Sequence, residues 1–213
     1  MRHFALTLAA IVVVLLAAWP VAAASLTLAG GTAWNLPMPL TIVQKGEQDI
    51  RIARAEWETR PLYEAPYYAI RMAGQTWGLS VIHHKLYLLT SHPDVQSFWV
   101  SHGYNLILGE RYWRAGRWMY SAGLGPVLTH PETTVRGKTL ADPPHAEISF
   151  EGYYLSGIAG SWAIAYVLPL TSWFQLVAET KSTAAWARVP IADGYADVPN
   201  VALHVNIGAQ FSW

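Results

Sequence analysis

The last thirteen residues alternate without interruption. Val201, Leu203, Val205, Ile207, Ala209, Phe211 and Trp213 fall on one face of an extended chain, and Ala202, His204, Asn206, Gly208, Gln210 and Ser212 on the other. A period of two marks a strand whose faces meet unlike surroundings. Strands in soluble domains mostly end at ~5–6 residues, whereas a strand tilted across a bilayer needs ~9–11, with lipid-facing and lumen-facing positions alternating. The segment has that length, and its aromatic terminus suits a membrane boundary.

The same period returns upstream. Residues 173–187 place Phe174, Leu176, Ala178 and Thr180 on one face and Gln175, Val177, Glu179 and Lys181 on the other, with Glu179 and Lys181 expected as a lumen ion pair. Residues 154–168, 117–128, 95–108, 76–88, 67–73 and 26–34 supply further strands. The fold class is therefore all-β, an antiparallel transmembrane β-barrel of eight strands. A hairpin of 40–43 and 50–57 projects from the first outer loop or, by entering the wall, makes the count ten. Arg51, Arg54, Glu56 and Glu58 favour the projecting form, because they leave neither face apolar enough for lipid. The long connections, 34–67, 129–146 and 188–199, share one rim, and an even strand number leaves both termini at the other. An eight-stranded interior is filled by side chains, which excludes a general porin.

Composition agrees. Fourteen basic and fourteen acidic residues cancel, leaving no electrostatic footprint for nucleic acid. Cysteine is absent, so there is no disulfide scaffold, and Trp and Tyr number 11 each against 5 Phe, the bias of an interfacial belt. Residues 1–24 read as a signal peptide: Met1, Arg2 and His3 give a basic start, 4–18 an apolar run, and Ala22-Ala23-Ala24 a small-residue cleavage site. Residues 25–213 form the barrel domain, expected as a monomer in a bacterial outer membrane.

Candidate chemistry begins with histidine, at His83, His84, His92, His102, His130, His145 and His204. No zinc-type His spacing, Gly-x-Ser-x-Gly elbow or phosphate loop accompanies them. Pairing Leu88 with Val95 across the 89–94 loop makes His83 and His102 diagonal neighbours, ~7–8 Å apart at Cα. With Phe98, Val100, Tyr104, Leu106 and Leu108 assigned outward, His102, His83, Lys85 and Tyr87 face outward near the outer rim. Ile82, Leu86 and Leu88 then point inward, and a one-residue slip would reverse that strand. Such residues either anchor lipopolysaccharide phosphates or form an acid–base or metal-binding site reached by a headgroup from the side.

The order of several motifs resembles the lipid A oxidase family of small outer-membrane barrels: Pro66-Tyr67-Tyr68, then His83-His84-Lys85-Leu86-Tyr87, then Ser101-His102-Gly103-Tyr104-Asn105, then His130-Pro131-Glu132 and Glu179-Thr180-Lys181. Ser101 stands where that family carries Thr. The resemblance implies oxidation of the proximal glucosamine of lipid A to 2-aminogluconate, with dioxygen as co-substrate and a divalent metal. Imidazole and carboxylate suit an oxygen-activating metal. On this reading His83 and His102 are catalytic; His83, His102, His130 and Glu132 are metal candidates; and Lys85, Tyr87 and Asn105 contact substrate. Against it stand a non-catalytic structural or lipopolysaccharide-binding barrel, an adhesin working through its loops, and an acyl hydrolase, which would need a serine on the face of His102.

Overall fold

The computed structural model describes residues 25–140 and 152–213; the expected signal segment, 1–24, and His145 lie outside them. Among the described residues thirteen strands follow in chain order: β1 (Ser25–Leu36), β2 (Met38–Gln44), β3 (Ile50–Ala55), β4 (Trp57–Glu58), β5 (Tyr68–Ala73), β6 (Trp77–Leu88), β7 (Val95–Ala115), β8 (Trp118–Thr129), β9 (Glu132–Val135), β10 (Lys138–Leu140), β11 (Tyr154–Pro169), β12 (Phe174–Ile191) and β13 (Gly194–Ser212). The pairs β1–β5, β5–β6, β6–β7, β7–β8, β8–β11, β11–β12, β12–β13 and β13–β1 are all antiparallel and complete a closed circuit. The remaining strands extend it above the rim. β2 pairs with the first residues of β13 and with β3, β4 with the end of β6, and the β9–β10 hairpin with the start of β7.

The outer surface carries the apolar positions read from the C-terminal alternation, with Leu203 and Ile207 exposed and His204 and Asn206 buried inside. The same holds for β8 and β12, where Leu124 and Leu176 are exposed while Ser121, Glu179 and Lys181 are buried. A closed sheet that is apolar outside and polar inside is the arrangement of bacterial outer-membrane barrels. The 40–57 hairpin projects rather than entering the circuit.

Two parts depart from the expected pattern. Residues 188–199, expected as a loop, continue β12 and β13 above the wall in register from Arg188–Asp197 to Ile191–Gly194, and only Ala192 and Asp193 make the turn. On β7, Phe98, Val100, Tyr104, Leu106 and Leu108 point inward, not outward. They meet Ile82 and Leu86 of β6, Leu40 and Ile42 of β2, and Val189 and Val198 of the long hairpin in one apolar cluster. The extension caps the upper lumen, so its inward face is a dry core and alternation there no longer distinguishes lipid from water. Among the described residues, that packing fills the upper lumen with apolar side chains.

Below this plug lies a charged layer. Lys181 Nζ donates to Glu110 Oε1 at 2.6 Å and stands 3.7 Å from Glu179, while Arg71 bonds Glu179 and lies 3.6 Å from Glu110. Tyr112 donates to Glu110 at 2.7 Å and Asn206 to Glu179 at 3.2 Å. Glu179 and Lys181 are thus half of a neutral four-charge network whose other members come from β5 and β7. Breaking a buried pair costs more than forming it gains, because it strands a desolvated charge.

Glu110→Gln should lower the unfolding free energy by about 3–5 kcal/mol in urea titrations of the vesicle-reconstituted protein, and adding Lys181→Met should recover part of the loss. Equal losses in both variants would mean that the charges are not coupled. Leu203→Arg should deplete the heat-modifiable folded band, at a cost of ~2–4 kcal/mol on the lipid face, while Thr139→Arg on the exposed β10 leaves it intact.

Candidate outer-wall site

β6 alternates strictly. His84 turns inward, its Nε2 3.3 Å from Thr59 Oγ1 and its ring 5.0 Å from that of His204, which in turn bonds Tyr67 and Thr183. His83, Lys85 and Tyr87 therefore face out. Their partners differ from the expected register: His83 sits opposite Asn105 and Tyr87 opposite Trp99, not His83 opposite Val100. Between His84–Tyr104 and Leu86–Val100, three residues of β7, Ser101, His102 and Gly103, oppose Lys85 alone. This bulge sets the position of His102. In strict alternation His102 would follow Val100 and Tyr104 into the lumen; instead its side chain is 44% exposed and reaches Glu132. Gly103 makes the bulge with φ of 129°, where a Cβ would also strike the Asn105 amide.

Two groups of side chains result. In the first, His83 Nδ1 lies 2.8 Å from Asn105 Oδ1, and the Tyr68 ring of β5 stacks on His83 at 4.9 Å and 13°. Asn105 Nδ2 donates to the Leu128 carbonyl at 3.3 Å. Asn105, expected to contact substrate, therefore spends its amide holding His83 against β8. In the second, His102 Nδ1 is 3.3 Å from Glu132 Oε1 and 3.2 Å from Ser101 Oγ, and its ring lies 4.9 Å from that of His130. Tyr153 packs on His130 at 4.6 Å and donates its hydroxyl to the His102 carbonyl at 3.3 Å.

Lys85 and Tyr87 lie under a strap that sequence reading missed. Thr59 and Tyr67 are tied inside the lumen to His84 and His204, and the intervening chain drapes over the rim. Lys85 Nζ donates to the Tyr63 carbonyl, Tyr87 donates its hydroxyl to Glu64 at 3.3 Å, and the Arg60 guanidinium sits 4.7 Å over the Tyr87 ring. Arg60 and Glu64 both have positive φ, 48° and 52°, a strained conformation for side-chain-bearing residues. The one signal for this strap was the Pro61 and Pro66 pair bracketing a turn-rich stretch.

The arrangement limits the chemistry. In a serine–histidine–acid relay the serine and the acid occupy opposite ring nitrogens. The bulge does bring Ser101 against His102, but Ser101 and Glu132 both face Nδ1, which does not make an acylating serine. Among the described residues no three His, Asp or Glu side chains gather closely enough to hold a metal ion. The four metal candidates are divided, His83 bound to Asn105 on one side of the bulge and His102, His130 and Glu132 on the other. They do not form a ready metal centre. What remains is the imidazoles of His83, His102 and His130, the carboxylates of Glu132 and Glu64, the Lys85 ammonium and an aromatic surround of Tyr68, Tyr87, Trp99 and Tyr153 on the outer wall.

No protein-family model matches this chain, and no curated protein matches it in sequence. Solved structures are similar to it, three of them as follows. They are Ail, the attachment invasion locus protein of Yersinia pestis (9% identity, 88% of this chain and 99% of that chain, TM-score 0.41), and Neisserial surface protein A (9%, 89% and 97%, 0.43). The third is the outer membrane protein AlkL (8%, 92% and 93%, 0.43). Similarities this low transfer neither activity nor partner.

Glu132 is held below its ordinary value of 4.5, first by the hydrogen bond from His102, opposed by desolvation, and then by that from Ser101. A depressed carboxyl stabilises the fold above its unfolded pKa, and that contribution is lost as pH falls through the folded value. Protection of the amides of 129–135, corrected for intrinsic exchange, should hold from neutral pH down to about 4.5 and fall below it, and Glu132→Gln should abolish this acid dependence.

Proposed function

We propose that this chain is an outer-membrane barrel that binds lipid A at its outer-leaflet wall and acts on the headgroup from the side. The observation that carries the reading is the stretch of wall near the outer rim where His102 and Glu132 are partly exposed beside His83 and Lys85, which Tyr68 and the strap cover. Polar residues facing lipid are destabilising at mid-membrane and tolerated near the interface. A cluster at that level meets molecules whose phosphates and sugars lie in the headgroup layer.

The parts have distinct uses. Lys85 offers a point charge to a phosphate, which would replace the Tyr63 carbonyl of the strap. Tyr87 and Trp99, with rings 6.0 Å apart, suit the boundary between sugar and acyl chain. His102 with Glu132 is a proton-handling pair of the kind used in general acid–base catalysis. Oxygen-dependent oxidation of the proximal glucosamine is the reaction that the motif resemblance attaches to such a wall. A lipopolysaccharide-binding barrel without turnover is the second reading, favoured by the division of the metal candidates across the bulge.

Mass spectrometry of lipid A from cells with and without the protein separates these readings. Gain of one oxygen supports oxidation, whereas unmodified lipid A retained by the purified barrel supports binding alone. Neither change nor retention overturns the proposal. If turnover occurs, His83→Ala and His102→Ala should each abolish it and the double variant should do no further harm, because groups acting as a unit are non-additive. The heat-modifiable band should persist in all three.

A further inference from the structure

We infer that the wall site recognises an alcohol: His83 accepts a hydrogen bond from a lipid headgroup hydroxyl through its Nε2 lone pair, and Asn105 is the positioning residue that keeps this lone pair available. The inference rests on the headgroup reading above and adds the polarity of the group bound.

The Asn105 amide has one fixed orientation. Its Nδ2 donates to the Leu128 carbonyl, an acceptor only, so the amide cannot be turned the other way without setting two oxygens against each other. Oδ1 must therefore be the atom facing His83, and at 2.8 Å it can only accept. In a neutral imidazole one nitrogen donates and the other accepts. With the Nδ1 proton given to Asn105, Nε2 holds a lone pair. Among the described residues that atom has no hydrogen-bond partner, and it is buried on a residue only 4% exposed. A buried acceptor left unmade is costly, and it stands on the same outward face as Lys85, beside the bulge that presents His102. Such an atom repels the oxygens of a phosphate or carboxylate and welcomes a donor. Because the ring lies beneath Tyr68, a ligand must displace neighbours to reach it, which only a group that supplies the missing bond would offset. Lys85 for an anion and His83 for a hydroxyl together select a phosphorylated lipid that also carries a free hydroxyl.

Two lipids share that chemistry, the glucosamine headgroup of lipid A and the glycerol of phosphatidylglycerol. The test uses the full-length barrel with ¹⁵N-labelled histidine in nanodiscs of phosphatidylcholine, which has no hydroxyl donor, then with lipid A or phosphatidylglycerol added. Long-range ¹⁵N–¹H correlation should show His83 protonated at Nδ1 and bare at Nε2, and lipid A should shift the Nε2 resonance toward the hydrogen-bonded range. A matching shift with phosphatidylglycerol assigns the site to lipid hydroxyls in general; its absence assigns it to the sugar. Asn105→Leu should mix the two tautomers and weaken lipid A retention roughly tenfold, as for one lost hydrogen bond, with the heat-modifiable band unchanged. Lipid A retained while Nε2 is protonated, or while its resonance stays fixed, overturns this inference and leaves the headgroup reading standing. Failure of the wild-type barrel to retain lipid A overturns both.

Discussion

In hydrocarbon an unpaired peptide N–H or C=O costs several kcal/mol, so a sheet in a membrane must close on itself. The seam is β1 against β13, paired without a break from Ser25–Ser212 to Leu36–Val201. Everything else follows from it. Closure fixes which side chains share the lumen, forces charge within to be balanced by charge from other strands, and leaves irregular backbone only at the rims. The four-charge layer illustrates the second point, since Arg71, Glu110, Glu179 and Lys181 come from three strands far apart in sequence. Closure brings them together.

How much of this was legible depended on what lay on each side of a strand. β8, β12 and β13 separate lipid from a polar lumen, and their alternation alone assigned Leu203, Val205 and Ile207 outward and Glu179, Lys181 and His204 inward. β7 separates a dry plug from a partly polar wall, so the same rule placed Phe98, Val100, Tyr104, Leu106 and Leu108 on the wrong face. Glu110 was missed because strand 95–108 was ended too soon. Arg71 stood in a short strand with no patterned neighbour, and nothing local pairs it with Glu179.

The wall residues form an instructive middle case. His83, Lys85 and Tyr87 came out on the outward face, yet by a register that the structure does not have. Two differences offset each other for these three: the hairpin is shifted by an odd number of residues, and β7 presents the opposite face, with Val100 and Tyr104 inward; the bulge at Ser101, His102 and Gly103 separately turns His102 out. A glycine flanked by polar residues in a strand is a sign of a bulge, and Ser101-His102-Gly103 carried that sign. The strap, by contrast, depends on tertiary ties from Thr59 and Tyr67 into the lumen, which no local pattern reports.

β12 and β13 run 18 and 19 residues, whereas a tilted strand crosses the hydrocarbon in ~9–11. About half of that hairpin therefore stands clear of the bilayer, carrying β2 and β3 with it, while the His83 and His102 groups sit on the opposite part of the wall at its foot. On the other side β7, at 21 residues, rises as far, with the β9–β10 hairpin paired to its start. Lys138 of that hairpin meets Asp193 in the β12–β13 turn at 2.9 Å, so the two tall parts of the wall lean together over the lumen. The described part of the barrel top is thus a braced arch, in which each side holds the other upright.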